Sequence, residues 1–276
     1  MKKIIVPIDF SKYSEYALEA AAILAKKNKA EIFALHMLEM SDAILTASND
    51  GPKPKILFFL KLAQQKFDEF LSKDYLKGIK VTPVVKHSKV FSEISEVAEE
   101  HHADLIVMGS HGVSGFTEVF VGSNTEKVVR HSTLPVLVIK QKPSNLNFET
   151  VIFPSDFTDK SVDVYKRVLK TLGENSNVHL LYVNVPGENF KSTAEMEQNV
   201  ANFLMKAEGN LNNLNKVHYV SDYTIQQGIM NFSNLFGADL IVMPTHGRKG
   251  LAHFFEGSIS EDLANRANLP VMTFKI

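Results

Sequence analysis

Apolar positions along this chain follow two rhythms. Short β-branched runs such as Ile4-Ile5-Val6 alternate with stretches in which apolar residues return every three or four positions. That succession predicts βαβ units, in which a parallel sheet is covered by helices on both faces. In the first half the runs place strands at Ile4 to Ile8, Glu31 to Met37, Lys80 to Val85, Asp104 to Met108 and Pro135 to Ile139. Between them, Tyr13, Ala17, Ala20 and Leu24 mark one helix face, Leu60, Ala63, Phe67 and Phe70 a second, and Phe91, Ile94 and Ala98 the start of a third. In the second half the helical stripes are Val162, Tyr165, Leu169 and Leu172, then Met196, Val200, Phe203, Ala207, Leu211 and Leu214, then Ile225, Ile229, Phe232 and Phe236. All of these stripes are read as core.

The chain also repeats itself. Ile4-Ile5-Val6-Pro7-Ile8-Asp9-Phe10-Ser11 recurs as Val151-Ile152-Phe153-Pro154-Ser155-Asp156-Phe157-Thr158, a shift of 147 positions. Farther on, Ala103-Asp104-Leu105-Ile106-Val107-Met108 recurs identically from Ala238, a shift of 135. Most of the shortening is expected in the Ser41 to Pro54 stretch, which reads as loop. The polar segment Gln141 to Asn147 reads as a linker, so two tandem domains are expected at residues 1–140 and 148–276.

Composition narrows the chemistry. Thirty Lys and Arg against 31 Asp and Glu give a net charge of −1, which offers no broad attraction to nucleic acid or an anionic membrane. The absence of cysteine removes disulfides, thiolate metal sites and thiol nucleophiles. No apolar run reaches the roughly 20 residues of a membrane span or the roughly 7–15 of a secretory signal core, so a soluble cytoplasmic protein is expected. His101-His102 beside Glu99-Glu100 lacks metal-ligand spacing and reads as a solvated helix end.

The fourth strand of the first half runs into Gly109-Ser110-His111-Gly112 and, farther on, Gly122-Ser123-Asn124 before a helical stretch. Glycines admit close backbone approach, and free N–H groups at the next helix start face an anion favourably. Ser123 and Asn124 suit a helix cap, and the serine hydroxyl could also donate to a phosphate oxygen. Two readings stay open on spacing alone: a phosphate cradle, or turns and a cap.

These residues resemble the universal stress protein family, whose nucleotide-binding members carry Gly, two residues, Gly, nine residues, then Gly-Ser/Thr. Here the pattern is Gly109, Gly112, the nine residues Val113 to Val121, and Gly122-Ser123-Asn124. Val6-Pro7-Ile8-Asp9, His36-Met37 and Leu134-Pro135-Val136 extend the likeness. The resemblance implies an α/β fold of two tandem Rossmann-like domains, each a five-stranded parallel sheet flanked by helices. It further implies that Val136 to Ile139 and Val271 to Phe274 pair the domains as an internal pseudo-dimer, leaving room for a homodimer. ATP is the implied ligand, with or without magnesium. The implied site comprises Pro7, Asp9 near the ribose or phosphates, the backbone around Met37 beside adenine, and Gly109, His111, Gly112, Gly122, Ser123 and Asn124 around the phosphates. An unidentified protein partner would read nucleotide occupancy.

The second copy serves as an internal control. It reads Pro244-Thr245-His246-Gly247, nine residues, then Gly257-Ser258-Ile259. Proline offers no N–H, and each charge-assisted hydrogen bond lost costs roughly 1.5–3 kcal/mol, so a weak or empty second site is expected. Asp156 persists opposite Asp9 although its loop is altered, which keeps a structural role open for Asp9 as a turn or cap. His111 and His246 also match, and a hydrogen bond to loop backbone is as good an account as a phosphate contact. There is no Walker loop, no Gly-x-Ser-x-Gly elbow, and no Lys or Arg between Gly109 and Asn124. Binding is therefore favoured over catalysis, with slow magnesium-dependent ATP hydrolysis and a ligand-free scaffold as the alternatives.

Overall fold

A computed structural model describes residues 1–38, 54–87, 93–110, 123–144, 146–173, 175–188, 190–245 and 269–276. The chain divides into two compact units, one built chiefly from residues before 117 and the other chiefly from residues after 145.

The first half of the chain, termed the first unit although Val129–Leu137 cluster with the second, runs β1 (Lys3–Pro7), α1 (Lys12–Asn28), β2 (Glu31–Leu38), α2 (Pro54–Phe70), β3 (Val81–His87), α3 (Glu93–Glu100), β4 (Leu105–Gly109), α4 (Ser123–His131) and β5 (Val136–Ile139). Its strands lie in the order β3-β2-β1-β4-β5. The β1–β2, β1–β4 and β2–β3 pairings are parallel, with Ile4 opposite both Ile32 and Leu105. The predicted strands are thus present, with ends moved by one or two residues. Pro83 interrupts the donor row of β3, which the order makes an edge strand, where a missing N–H is tolerated. Ile4, Ile5, Ile32, Leu35 and Leu105 are fully buried. Helix α1 faces the sheet with Ala17, Ala20 and Ala21, whose small side chains allow close approach.

The second unit repeats the plan with β6 (Thr150–Pro154), α5 (Asp159–Leu172), β7 (Asn177–Asn184), α6 (Thr193–Glu208), β8 (Val217–Ser221), α7 (Ile225–Phe236), β9 (Leu240–Thr245) and β10 (Val271–Lys275). Its order is β8-β7-β6-β9-β10, with parallel pairings. The repeated Ala-Asp-Leu segments have a common task. The Asp104 carboxylate accepts from the Lys2 and Lys3 N–H groups, and Asp239 accepts from Thr150 at 2.9 Å, so each aspartate pins the start of its unit's central strand.

Several apolar positions read as core are not buried. Leu169, Leu211, Leu214 and Phe236 are 37–41% exposed. Helix α6 ends at Glu208, because Gly209 adopts a left-handed cap, so Leu211 and Leu214 fall outside the helical stripe they seemed to extend. Of the expected Ser41 to Pro54 loop, residues 41–53 lie outside the described residues, as does Phe91, while Pro54 opens α2.

Phe33 on β2 packs against His101 at the end of α3, with ring centroids 4.6 Å apart. At the corresponding place in the second unit the residue types are exchanged: His179 on β7 packs against Phe236 of α7 at 4.5 Å. His218 on β8 adds a second imidazole, with His179 Nδ1 3.0 Å from His218 Nε2 and Asn177 Nδ2 2.8 Å from His179 Nε2. Strands β6, β7 and β8 and helix α7 carry no Asp, Glu, Lys or Arg. Burial holds both imidazoles below their ordinary range, and the neighbouring His218 and Lys216 add to the effect on His179. The folded protein therefore binds fewer protons here than the unfolded chain, so this contribution is present above about pH 6.5 and is lost as pH falls below it. Urea denaturation should show lower stability at pH 5 than at pH 7.5, and His179→Phe with His218→Val, the residues at 33 and 84, should shrink that difference.

Candidate functional site

Strand order in the first unit reverses direction between β1 and β4, the kind of switch point at which open parallel sheets leave a crevice beyond their carboxyl ends. The β1 side of this point is built by a single turn. Pro7 ends β1, and Asp9 Oδ1 accepts from the Ser11 N–H at 3.0 Å and the Ser11 hydroxyl at 2.6 Å. Ser11 in turn caps α1, accepting from the Ser14 N–H at 3.2 Å. The residue between them, Phe10, is left-handed at φ 63°, and its ring packs against His36, Phe67 and Phe70 at 4.6, 5.3 and 5.5 Å. The turn recurs in the second unit: Asp156 accepts from the Thr158 N–H and hydroxyl at 3.2 and 3.1 Å, and Phe157 has φ 56°. Asp9 thus has the structural role that its recurrence suggested, whatever else it does.

His36 sits near the end of β2, with Nδ1 2.8 Å from the Ile8 carbonyl. A carbonyl only accepts, so Nδ1 carries the proton. Burial lowers the pKa of this imidazole and Lys66 adds to the shift, while the bond to Ile8 and the Asp9 charge oppose it. Met37 is half-buried inside β2, within the strand expected at Glu31 to Met37, and is paired with Lys86 of β3.

Gly109 is the last residue of β4, and its φ lies outside the left-handed region. Its requirement is space. A Cβ there would stand 2.7 Å from the Tyr13 carbonyl oxygen and 2.8 Å from its carbon, in the first turn of α1. The glycine therefore lets β4 close onto the turn that Asp9 and Ser11 build. Its carbonyl accepts from the buried Thr125 hydroxyl at 2.8 Å, which ties the start of α4 to the same point. Ser110 is fully buried and donates its N–H to Ile139 at 2.9 Å. Helix α4 begins at Ser123, followed by half-buried Asn124. His111, Gly112 and Gly122 lie outside the described residues, as do residues 246–268 in the second unit.

The structure therefore brings Pro7, Asp9 and Gly109 together around the first turn of α1, with Ser123 and Asn124 tied in through Thr125. Met37 stands one strand away on β2. Sequence reasoning missed Phe10, Ser11, His36 and Thr125 as elements of this arrangement. The signal for Phe10 and Ser11 was present in the recurrence of Asp-Phe-Ser as Asp-Phe-Thr, but an aromatic residue gives no local hint of a left-handed backbone. Thr125 had no visible signal, since its partner is a carbonyl 16 residues away.

Two α/β units, each with a parallel sheet whose strand order reverses beside its first strand, define a class of doubly wound, Rossmann-like domains. The model of the universal stress protein family matches residues 1–140 and again 147–275, and the chain belongs to that family. Universal stress protein MJ0577 of Methanocaldococcus jannaschii is 31% identical over 157 residues, covering 52% of this chain and 97% of the relative. Universal stress protein YxiE of Bacillus subtilis is 32% identical over 154 residues, covering 50% of this chain and 98% of the relative. A solved universal stress protein from Archaeoglobus fulgidus is similar over 99% of this chain and 96% of its own, with 25% identity and a TM-score of 0.69.

The packing role of Gly109 is directly testable. Gly109→Ala places a methyl group against helix backbone that cannot swing aside, and overpacking of this kind costs about 1–3 kcal/mol. Urea denaturation should register that loss without added ligand.

Proposed function

We propose that this chain is an ATP-binding regulatory protein whose nucleotide is held mainly by the N-terminal domain. The supporting observation is the coincidence of the Gly109 to Asn124 motif with the switch point: its first glycine lies against the α1 turn held by Asp9, and its last residues open α4. Backbone N–H groups of a glycine-rich segment leading into a helix are suited to phosphate oxygens. Pro7, Asp9 and the neighbourhood of Met37 would take the nucleoside end, and Gly109, His111, Gly112, Gly122, Ser123 and Asn124 the phosphate end, with or without magnesium.

In this reading domains at 1–140 and 148–276 share a scaffold, but only the first carries the full motif. Pro244 lies within β9, opposite Phe274, and supplies no N–H. Nucleotide occupancy orders the surface around the switch point and is read by a protein partner or a second copy in the cytoplasm. Among the described residues no helix is long and apolar enough to cross a membrane.

Titration calorimetry on nucleotide-stripped protein should give one ATP per chain. Gly112→Val and Gly122→Val should each weaken binding at least tenfold with far-UV circular dichroism unchanged. Two equivalent sites, or no binding at millimolar ATP, would overturn the assignment.

A further inference from the structure

The glycine segment brings no cation of its own, and a triphosphate carries several negative charges. Two lysines at the switch-point end of the first unit bear on that deficit. Lys12 is the first residue of α1, directly after the Ser11 cap, and its Nζ lies 5.0 Å from the centre of the Tyr13 ring, whose backbone touches Gly109. Lys66 on α2 places its Nζ 5.4 Å from the centre of the Phe10 ring and acts electrostatically on His36. Both side chains are exposed.

The second unit supplies the comparison. Superposing the turns puts Asp159, the first residue of α5, at the position of Lys12. The Phe10–Phe67 contact, 5.3 Å and 70°, corresponds to Phe157–Phe203, 5.1 Å and 82°. That match puts Asn202 at the position of Lys66 and Lys206 at that of Phe70. Lys206 is neutralised where it stands, with Nζ 2.6 and 2.7 Å from the two oxygens of Asp159. Among the described residues, two cations outside any ion pair in the first unit thus correspond to a closed ion pair and an amide in the second.

Lys12 also breaks a local rule. The amino end of a helix carries partial positive charge, which favours Asp and disfavours Lys, and the second copy has the favoured residue. A sequence that accepts such a conflict while its twin does not is marking a functional position.

We infer that Lys12 and Lys66 form the cationic rim that selects a polyanionic nucleotide for the first unit, and that Asp159 and Asn202 withhold it from the second. This rests on the nucleotide-binding reading above. The phosphate chain is the group recognised, so ATP and adenosine separate charge from shape.

The test compares calorimetric affinities of full-length wild type and Lys12→Asp/Lys66→Asn for ATP and for adenosine, at low and high salt. Two exposed charge contacts on a polyanion together account for about a tenfold change. The double variant should therefore bind ATP about tenfold more weakly at low salt, keep its adenosine affinity within about twofold, and lose most of the salt dependence. It should melt no lower than wild type, since Asp suits the start of α1. Wild type that binds ATP alongside a double variant that binds it equally well would overturn the rim and leave nucleotide binding standing. An equal loss of ATP and adenosine would also overturn it, pointing to shape. Wild type that binds neither ligand would sink the nucleotide reading and the rim together.

Discussion

The bond from the Asp9 carboxylate to the Ser11 N–H and hydroxyl is the constraint from which the switch-point end of the first unit is built. It reverses the chain within two residues and holds Phe10 left-handed, a conformation that costs a non-glycine residue roughly 1–3 kcal/mol. Contact of the half-buried phenyl ring with His36, Phe67 and Phe70 works against that cost, since apolar area removed from water stabilises by about 25 cal/mol per Å². Ser11 then caps α1, Tyr13 in its first turn meets Gly109, and Gly109 accepts from Thr125 at the start of α4. One contiguous series of contacts joins the β1 and β4 sides of the switch point.

That series explains why the same residue can be structural and still matter for a ligand. Asp9 and Asp156 make the same turn, so the carboxylate cannot be what separates the two copies. Gly109 is needed for the approach of β4 to α1, so its replacement would be felt even by a protein with no ligand. Effects of such changes on binding therefore carry a packing component, whereas changes to exposed side chains at the switch-point end report chiefly on charge.

Architecture was legible because it rests on local periodicity and on a repeat. Strands such as Leu105–Gly109 and Leu240–Thr245 are near-continuous apolar runs, as expected for strands covered on both faces. Helix ends were less legible: nothing in the apolar spacing of Met196 to Leu214 announced that Gly209 would stop the helix and leave Leu211 and Leu214 exposed. Within the site, the glycine spacing and Asp9 were visible as motifs, but the steric reason for Gly109 depends on Tyr13, 96 positions away. Lys66 and His36 likewise come near Phe10 only once α2 and β2 are folded, and no linear spacing encodes that meeting.

The two copies separate scaffold from function because they differ at few kinds of position. Strand-anchoring aspartates, the Asp-aromatic-hydroxyl turn and the parallel register persist in both. What changes is the chemistry offered at the strand ends: His36 against Tyr182, Gly109 against Pro244, Lys12 against Asp159, Lys66 against Asn202. A fold tolerates such exchanges because none of these side chains holds the sheet together, which is the general reason that function resides in sites grafted onto folds. Three of these exchanges toward the second copy remove something an anion would use: Pro244 lacks a backbone N–H, and Asp159 and Asn202 replace positive charges. The nucleotide site proposed for the first unit gives these three changes a common direction, since each of them disfavours an anion.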